Sequence, residues 1–355
     1  MKKTLTLITC IIAFNTILIA QDQHFTQFYA SPLTLNPALA GAFDGKYRLA
    51  AIYRDQWRNV LDNPYVTMGG AIDMRFARTS RRKRLSDAIG AGVQFFSDRV
   101  PSVDFATNQI MVSGAYHKSL DTRKNDQFLS LGVQLGIAQR NINYERINFG
   151  DQFNGNDGYT EPTGEILPEN NFSYGDIAIG LNYSYAPQKS IGIFAGGAIH
   201  HITEPQVSFY IDKNDDDGVE FNGNNKLHRK YTAHITLQIP IGARVQLLPR
   251  VLVYKQGPHT AANIGSNIRF LISDLGNTAL HLGGWARPVS NEDNRFSVDA
   301  AVVMLGLEFN TFLLGLSYDA NLNYLNTSNK RQGAFEISIA ILGQYENETV
   351  LCPSF

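Results

Sequence analysis

The sequence contains little cysteine: only Cys10 and Cys352 occur among its 355 residues. Cys10 lies within residues 1–20, where two lysines precede an apolar run, as in a secretory signal peptide. If this segment is removed after Ala20, Cys352 has no partner within the chain, which excludes an internal disulfide. We therefore expect an exported protein that is stabilised by packing and by hydrogen bonds between strands.

Long apolar runs and an excess of charge are also missing after residue 20. A membrane-spanning helix needs about 20 consecutive apolar residues, and no later stretch approaches that length. The chain has 31 Lys and Arg against 32 Asp and Glu; loss of Lys2 and Lys3 with the signal peptide would change the formal charge from -1 to -3, because two positive charges leave. Such a charge does not attract nucleic acid, and we expect none as a partner. The mature chain is expected to be periplasmic, extracellular or an outer-membrane barrel.

Motifs of enzymes and metal sites are absent as well: the chain has no GxSxG, HExxH or CxxC. His200 and His201 are adjacent, so strand geometry sends them to opposite faces. His228 and His234 are about 20 Å apart at the rise of a strand, which is too far for both to bind one metal ion. The acidic segment 212–220 resembles a calcium loop, but its glycine is out of register. We predict no catalytic residue, metal or cofactor; the alternative is a hydrolase whose Ser and His come from different strands.

What the sequence has in abundance is alternation with a period of two residues. It recurs, for example, in residues 66–76, 177–185, 312–318 and 335–341, with one apolar face and one face of small, polar or charged residues. Several runs reach about ten residues, enough for a tilted strand to cross a bilayer, whereas soluble strands usually have five or six. Aromatic residues gather near the ends of these runs, as in an interfacial girdle. The expected strands begin near residues 46, 65, 87, 103, 127, 173, 191, 228, 243, 259, 278, 296, 311 and 331.

This pattern predicts an all-β fold, a closed transmembrane antiparallel β-barrel of about 14 strands. Connections after even-numbered strands are mostly short, whereas residues 142–172 and 204–227, after odd-numbered strands, form long loops. Such asymmetry is typical of an outer-membrane barrel whose termini both face the periplasm. The basic segment 78–87 is then expected on the periplasmic side. It would bind lipid phosphates or an acidic partner, or it would form a solvated turn.

The first expected strand carries arginines that cannot face lipid. Arg48 and Arg54 share a face, and each would cost about 2 to 4 kcal/mol on the lipid side near the midplane. We therefore expect both side chains to point into the lumen, where Asp73 or Asp98 can pair with them. Trp57 is then expected near the outer interface.

Residues 23–41, QHFTQFYASPLTLNPALAG, follow neither helix nor strand periodicity. Pro32 and Pro37 exclude a regular helix or central strand through most of this stretch, and Asn36 before Pro37 favours a turn. The stretch is too apolar for a free tail, so we expect it to dock on the barrel, inside or across its periplasmic mouth. It would act as a structural plug or as a partner-binding element.

The expected organisation has four parts. They are a signal peptide (1–20), an N-terminal periplasmic segment or plug (21–45), an outer-membrane β-barrel (46–345) and a C-terminal periplasmic tail (346–355). Pro353 prevents a strand from continuing through the tail, so Tyr345 rivals Phe355 as the terminal aromatic residue that signals barrel assembly.

Six stretches, in order along the mature chain, carry a resemblance to a known family. They are residues 23–41, YRDQW at 53–57, LHRKYTAH at 227–234, GLSYDANL at 315–322, GAFEISI at 333–339 and the terminal CPSF. The chain resembles the PorP/SprF family of outer-membrane proteins associated with the type IX secretion system and gliding motility. The resemblance implies a closed outer-membrane barrel without enzymatic activity.

The resemblance also implies partners and signature residues. The partners are a secreted surface protein with a C-terminal sorting domain, such as a gliding adhesin, other type IX secretion components, and outer-membrane lipid. The protein would help to export or anchor that secreted protein; the alternative is a passive channel for small or apolar solutes. The signature positions, for folding or for partner contact, are Asn36, Pro37, Gly41, Arg54, Gln56 and Trp57.

Overall fold

The computed structural model describes most of the chain. The described residues are 22, 24–59, 61–77, 87–121, 126–156, 158–187, 190–209, 225–273, 278–290, 296–322 and 333–343. Most of them lie in 14 β-strands. In chain order the strands are β1 (Tyr47–Gln56), β2 (Tyr65–Ala77), β3 (Ala88–Val100), β4 (Phe105–Ser119), β5 (Gln127–Asn141), β6 (Asn171–Tyr185), β7 (Gly192–His200), β8 (Lys230–Pro240), β9 (Val245–Gln256), β10 (His259–Ser273), β11 (Thr278–Ser290), β12 (Phe296–Phe309), β13 (Phe312–Asn321) and β14 (Gly333–Gly343).

The strands close into a single antiparallel barrel. Each strand pairs with its neighbours in sequence, and β1 pairs with β14 to complete the ring. Closure matters for the interior because it sets Arg54 of β1 directly opposite Glu336 of β14. The predicted closed barrel of 14 strands is confirmed, and each strand begins within two residues of its predicted start.

The two faces of the wall differ as the alternation predicts. On β4 and β5, Ile110 and Ile137 point outward and are 58% and 63% exposed. Ser113 and Gln134 on the same strands point inward, are buried, and hydrogen bond to each other at 2.9 Å. An apolar outer surface and a polar inner surface are what a membrane barrel requires, because lipid contacts only the outside.

The two ends of the barrel carry different connections. At one end residues 142–170 join β5 to β6 and residues 201–229 join β7 to β8; we call it the long-loop end. At the other, the short-turn end, residues 186–191 join β6 to β7 and residues 241–244 join β8 to β9. The predicted alternation of long and short connections is therefore confirmed for these strands.

Some predictions concern residues outside the described part of the chain. They are the signal peptide (1–20), the basic segment as far as residue 86, the acidic segment 212–220, and Tyr345 with the tail 346–355. These stay predictions.

The stretch before β1 folds into three short helical turns. A 3-10 turn at Phe28–Ala30 is followed by one turn of α-helix at Pro32–Leu35 and a second 3-10 turn at Pro37–Leu39. Proline begins two of the turns, where its missing N–H costs nothing. Two further 3-10 turns, Tyr144–Arg146 and Gly150–Gln152, lie in the β5–β6 loop. No helix in the described ranges is long and apolar enough to cross a membrane.

Residues 24–45, which we call the luminal segment, lie inside the barrel. Thr26 contacts Asp319 near the long-loop end of β13, whereas Gly45 approaches Gly343 at the short-turn end of β14. The segment therefore runs lengthwise through the lumen, inside the barrel, and reaches both of its ends. Asp22, before the segment, lies at the long-loop end, opposite to the end at which both termini were expected.

Glycines in the wall let the luminal segment come close. A Cβ atom at Gly90 of β3 would lie 1.8 Å from the carbonyl oxygen of Ala40, and one at Gly132 of β5 would lie 2.3 Å from the amide nitrogen of Ala38. Both clashes are with backbone, which cannot rotate away. The small inward residues predicted for a water-lined lumen thus serve here to admit a second layer of chain.

Gly90→Ala is accordingly expected to push the luminal segment off β3 and to lower barrel stability by about 1 to 3 kcal/mol, as overpacking does. Gly114→Ala on β4 is the matched control, because a Cβ there meets nothing within 4 Å. The midpoint of heat-induced unfolding in detergent, measured by the change in gel migration, compares the two variants. Equal midpoints would contradict the close approach.

Candidate functional site

The luminal segment is held near the long-loop end by a buried ionic cluster. Arg54 of β1 lies 3.0 Å from Asp319 of β13 and also contacts Glu336 of β14. Arg287 of β11 contacts the same Asp319 at 2.6 Å. The two cations and two carboxylates are nearly fully buried and balance each other, which is the condition under which buried charges are tolerated.

The luminal segment takes part in this cluster through its backbone. The amides of Thr26 and Gln27 donate to the two carboxylate oxygens of Glu336 at 2.7 and 2.9 Å. The Thr26 hydroxyl donates to Asp319 at 2.7 Å and accepts a hydrogen bond from Arg54 at 3.1 Å. One turn of the segment therefore depends on side chains of β1, β13 and β14, strands from the two ends of the chain that barrel closure brings together.

A second attachment lies near the middle of the lumen, at Asn36 and Pro37. The Asn36 side chain accepts from the Ala38 amide at 2.9 Å and so caps the turn that Pro37 begins. Its amide donates to the carbonyl of Leu181 at 3.0 Å and lies 3.3 Å from Nε2 of His234. Asn36 has no exposed surface, so it joins the segment to β6 and β8 in a dry environment.

The third attachment lies toward the short-turn end, at Gly41. Its amide donates to Asp73 at 2.7 Å, and Arg48 binds both oxygens of the same carboxylate at 2.9 and 2.7 Å. Arg48 also donates to the carbonyl of Leu39 at 3.0 Å. Gly41 has a φ of 70°, a backbone conformation that other residues adopt only with strain.

The remaining signature residues, Gln56 and Trp57, flank the ionic cluster at the long-loop end. Gln56 accepts hydrogen bonds from Arg54 at 3.3 Å. Trp57 follows β1 with a φ of 66°, donates its amide to Gly333 at 2.8 Å and packs edge-on against Tyr65. The six signature positions thus form three groups along one axis rather than one pocket.

Two expectations about side-chain pairing are settled by these contacts. Arg48 and Arg54 both point into the lumen as predicted, and Arg48 pairs with Asp73. Arg54 pairs with Glu336, which barrel closure brings opposite it on β14, and Asp98, the other acid considered, accepts a hydrogen bond from Thr67. Neighbours in sequence suggested the first pair; only the closure register gives the second.

The histidine pair also differs from the expectation. His200 and His201 were predicted to face opposite sides, yet both are buried and border the same cavity. His201 lies after the end of β7 with a φ of 56°, so strand alternation no longer applies to it. Nε2 of His201 lies 2.6 Å from Asp22, and Nδ1 lies 2.9 Å from Asp176 without hydrogen-bond alignment.

Asp22 and His201 form a charged contact that fixes the start of the described chain. Burial alone would lower the pKa of His201, but the carboxylates of Asp22 and Asp176 outweigh it and raise the pKa to about 9. Burial alone would raise the pKa of Asp22, but His201 and Lys230 outweigh it and hold the pKa far below its usual value. At neutral pH both partners are therefore charged.

This contact is expected to be released at alkaline pH. The pKa of His201 is raised, so its stabilising contribution is complete below its ordinary value of about 6.5 and is lost as the pH rises through about 9. A spin label on His24→Cys, with Cys352→Ser, should become more mobile between about pH 6.5 and pH 10. A label on Lys46→Cys, at the other end of the luminal segment, is the control. Unchanged mobility at position 24 would rule the contact out.

Two large cavities lie beside the luminal segment. The long-loop cavity has a volume of about 910 Å³ including its mouth and is bordered by charged residues of both signs, among them Asp98, Arg140 and Lys230. The short-turn cavity has about 1040 Å³, is mainly apolar, and lies against Phe128 and Arg250. The luminal segment borders both, with Thr34 at the first and Phe28, Leu35 and Leu39 at the second.

The fold defines a closed transmembrane β-barrel whose lumen contains the luminal segment. The family model described as "Type IX secretion system membrane protein PorP/SprF" matches residues 17–341. The chain belongs to this family, as the resemblance indicated. None of the curated proteins matches the chain.

Solved structures of several membrane barrels are similar in outline. The toluene transporter TodX of P. putida has a TM-score of 0.48 at 10% identity, covering 90% of this chain and 95% of that one. The monoaromatic hydrocarbon channel CymD has a TM-score of 0.46 at 11% identity, and the match covers 90% of this chain and 94% of that one. CdiB from Acinetobacter baumannii gives 0.42 at 7%, covering 83% and 60%. At these values the similarities carry no conclusion about what this chain does.

Proposed function

We propose that this protein is a non-catalytic outer-membrane component of type IX secretion that helps to export or anchor a secreted surface protein. The partner would carry a C-terminal sorting domain, as a gliding adhesin would. Family membership supports the secretion system, and the filled lumen supports a role in holding a partner rather than in passing solutes.

The observation that carries the proposal is the depth to which the luminal segment is buried. Leu33, Asn36 and Ala38 have no exposed surface, and the segment is attached at three levels. The segment thus occupies the lumen from the long-loop end to the short-turn end. The channel alternative therefore lacks support from the geometry, and the surfaces left for a protein partner are the two rims of the barrel.

The long-loop rim has the features of a partner surface. In the β5–β6 loop Ile166 is 89% exposed, and Phe153 and Tyr159 form an exposed aromatic pair. Asp151 orders the loop by accepting from Thr163 and Gly164. Apolar groups held on the surface of an ordered loop favour protein contact. We place this rim outside the cell and the short-turn rim in the periplasm, with outer-membrane lipid around the wall.

The test is deletion of the protein in its own host, with identification of the proteins that remain on the surface. At least one secreted surface protein should be lost or truncated, and it should co-purify with the protein from detergent-solubilised outer membrane. If every surface protein stays in place and intact, the proposal fails.

A loop variant locates the contact. Ile166→Ser is expected to weaken capture of the partner, whereas Ile241→Ser, an exposed isoleucine at the short-turn end, is the matched control. The reverse result would place the contact on the short-turn rim.

A further inference from the structure

The short-turn cavity lies between the luminal segment and the wall of β5 to β9. Phe128, Ser184, Phe194 and Gln238, which border it, all lie close to the short-turn ends of their strands. The luminal segment forms its inner boundary. The cavity therefore lies toward the short-turn mouth.

The lining is apolar over most of its surface. The main contributors are Phe28, Leu35, Phe43, Phe128, Phe194 and Leu248. Its volume, with the open mouth included, is about 1040 Å³. A cavity of this composition favours an extended hydrocarbon group.

The charge of the cavity has one sign. Arg75 and Arg250 border it, and no Asp or Glu does so among the described residues. Arg75 is engaged, because it donates to the carbonyl of Phe43 at 3.2 Å and lies over the ring of Phe128. Arg250 is not: its Nε and Nη1 atoms are buried without a hydrogen-bond partner.

Four other buried arginines of the lumen lie against carboxylates. The pairs Arg48 with Asp73, Arg54 with Glu336, Arg269 with Glu308 and Arg287 with Asp319 each satisfy a charge. Arg250 is 4% exposed, and its described contact is the ring of Tyr29, whose centroid lies 3.9 Å from Cζ. A ring face does not replace the hydrogen bonds of a guanidinium, so a buried charge without an acceptor is costly. An anion bound beside Arg250 would supply the missing acceptor.

We propose that the short-turn cavity binds an amphipathic anion, with one acyl chain along the aromatic lining and a carboxylate or phosphate head on Arg250. The unpaired N–H groups of Arg250 can bind either oxyanion, and the Tyr29 hydroxyl, also buried without a partner, can donate as well. The luminal segment ends the site, so the ligand is held at the short-turn end and does not cross the barrel.

The experiment uses the full chain purified in nonionic detergent and radiolabelled palmitate as the probe. Palmitate should bind, and unlabelled palmitate should displace it. A lysophosphatidate competitor tells whether the site takes a phosphate head as well as a carboxylate, either result being compatible with the proposal. Hexadecanol, which has the chain without the charge, should compete at least tenfold more weakly, because a charge-assisted contact is lost. Absence of saturable palmitate binding, or equal competition by hexadecanol, would overturn the proposal.

Variants assign the head group to the arginine. Arg250→Met should weaken palmitate binding about tenfold or more, and Arg250→Lys should weaken it less, since the charge is kept. Arg244→Met, an exposed position in the short turn before β9, is the control and should bind as the unchanged protein does. If Arg250→Met binds palmitate normally, the arginine is not the head-group site. If that variant fails to fold, the hexadecanol comparison on the unchanged protein still decides.

Discussion

Arg54→Met is expected to destabilise the barrel by about 3 to 5 kcal/mol, the range found when one member of a buried ion pair is removed. The change leaves Asp319 with Arg287, but it leaves the fully buried Glu336 without a described cation. Glu336 is also the acceptor for two backbone amides of the luminal segment. Loss of the arginine should therefore loosen the segment at the long-loop end together with the strands that enclose it.

The measurement is the temperature at which the purified barrel loses its compact migration on a gel, or the urea midpoint in detergent. Arg99→Met is the matched control: this arginine is near the long-loop end of β3 but exposed, so its loss should cost less than about 0.5 kcal/mol. Glu336→Gln in the Arg54→Met background should recover part of the loss, because it removes the unpaired charge and keeps an acceptor. An Arg54→Met barrel as stable as the unchanged one would show that the cluster contributes nothing.

The wall of the barrel could be predicted because its information is local. The residues of each strand alternate between an apolar and a polar face, and on β2 the inward residues include Thr67, Asp73 and Arg75. The number of strands and their first residues therefore follow from the sequence. The inward direction of Arg54 followed from the cost of an arginine in lipid. Local rules were sufficient for both.

The interior could not be predicted to the same depth because it depends on contacts between distant strands. Asp319 and Glu336 lie in stretches that carried the family resemblance, and an acid at an inward position of each strand was a usable signal. Their meeting with Thr26 required the closure register and the path of the luminal segment, which has no periodicity to read. The prediction for His201 was wrong for a related reason. The strand β7 ends at His200, and His201 has a left-handed φ, so its side chain does not follow the alternation of the strand.

Deletion of residues 24–41 is expected to remove much of the barrel's stability and to open what still assembles. The deletion removes the buried side chains of Phe25, Phe28, Leu33 and Leu35 and exposes the wall surfaces that they cover. Burial of one such side chain contributes about 1.5 to 3 kcal/mol. The hydrogen-bond ladder of the 14 strands does not involve the segment, and the Arg48–Asp73 pair can persist in water. A water-filled lumen is therefore the expected state of the assembled fraction.

Single-channel recording in planar bilayers checks this directly: the unchanged protein should be closed, and the deletion variant should show steady ion conductance. Deletion of residues 151–168 removes the same number of residues from the mostly exposed β5–β6 loop and should leave the barrel closed. A synthetic peptide of residues 22–41 should reduce the conductance of the first variant, since the attachment residues Glu336, His234 and Asp73 remain in the wall. Loss of assembly or gain of conductance identifies the segment as a plug. An intact, closed barrel that no longer supports secretion of the partner would instead identify residues 24–41 as a partner-binding element. In that case the deletion would impair secretion of the partner without changing the barrel.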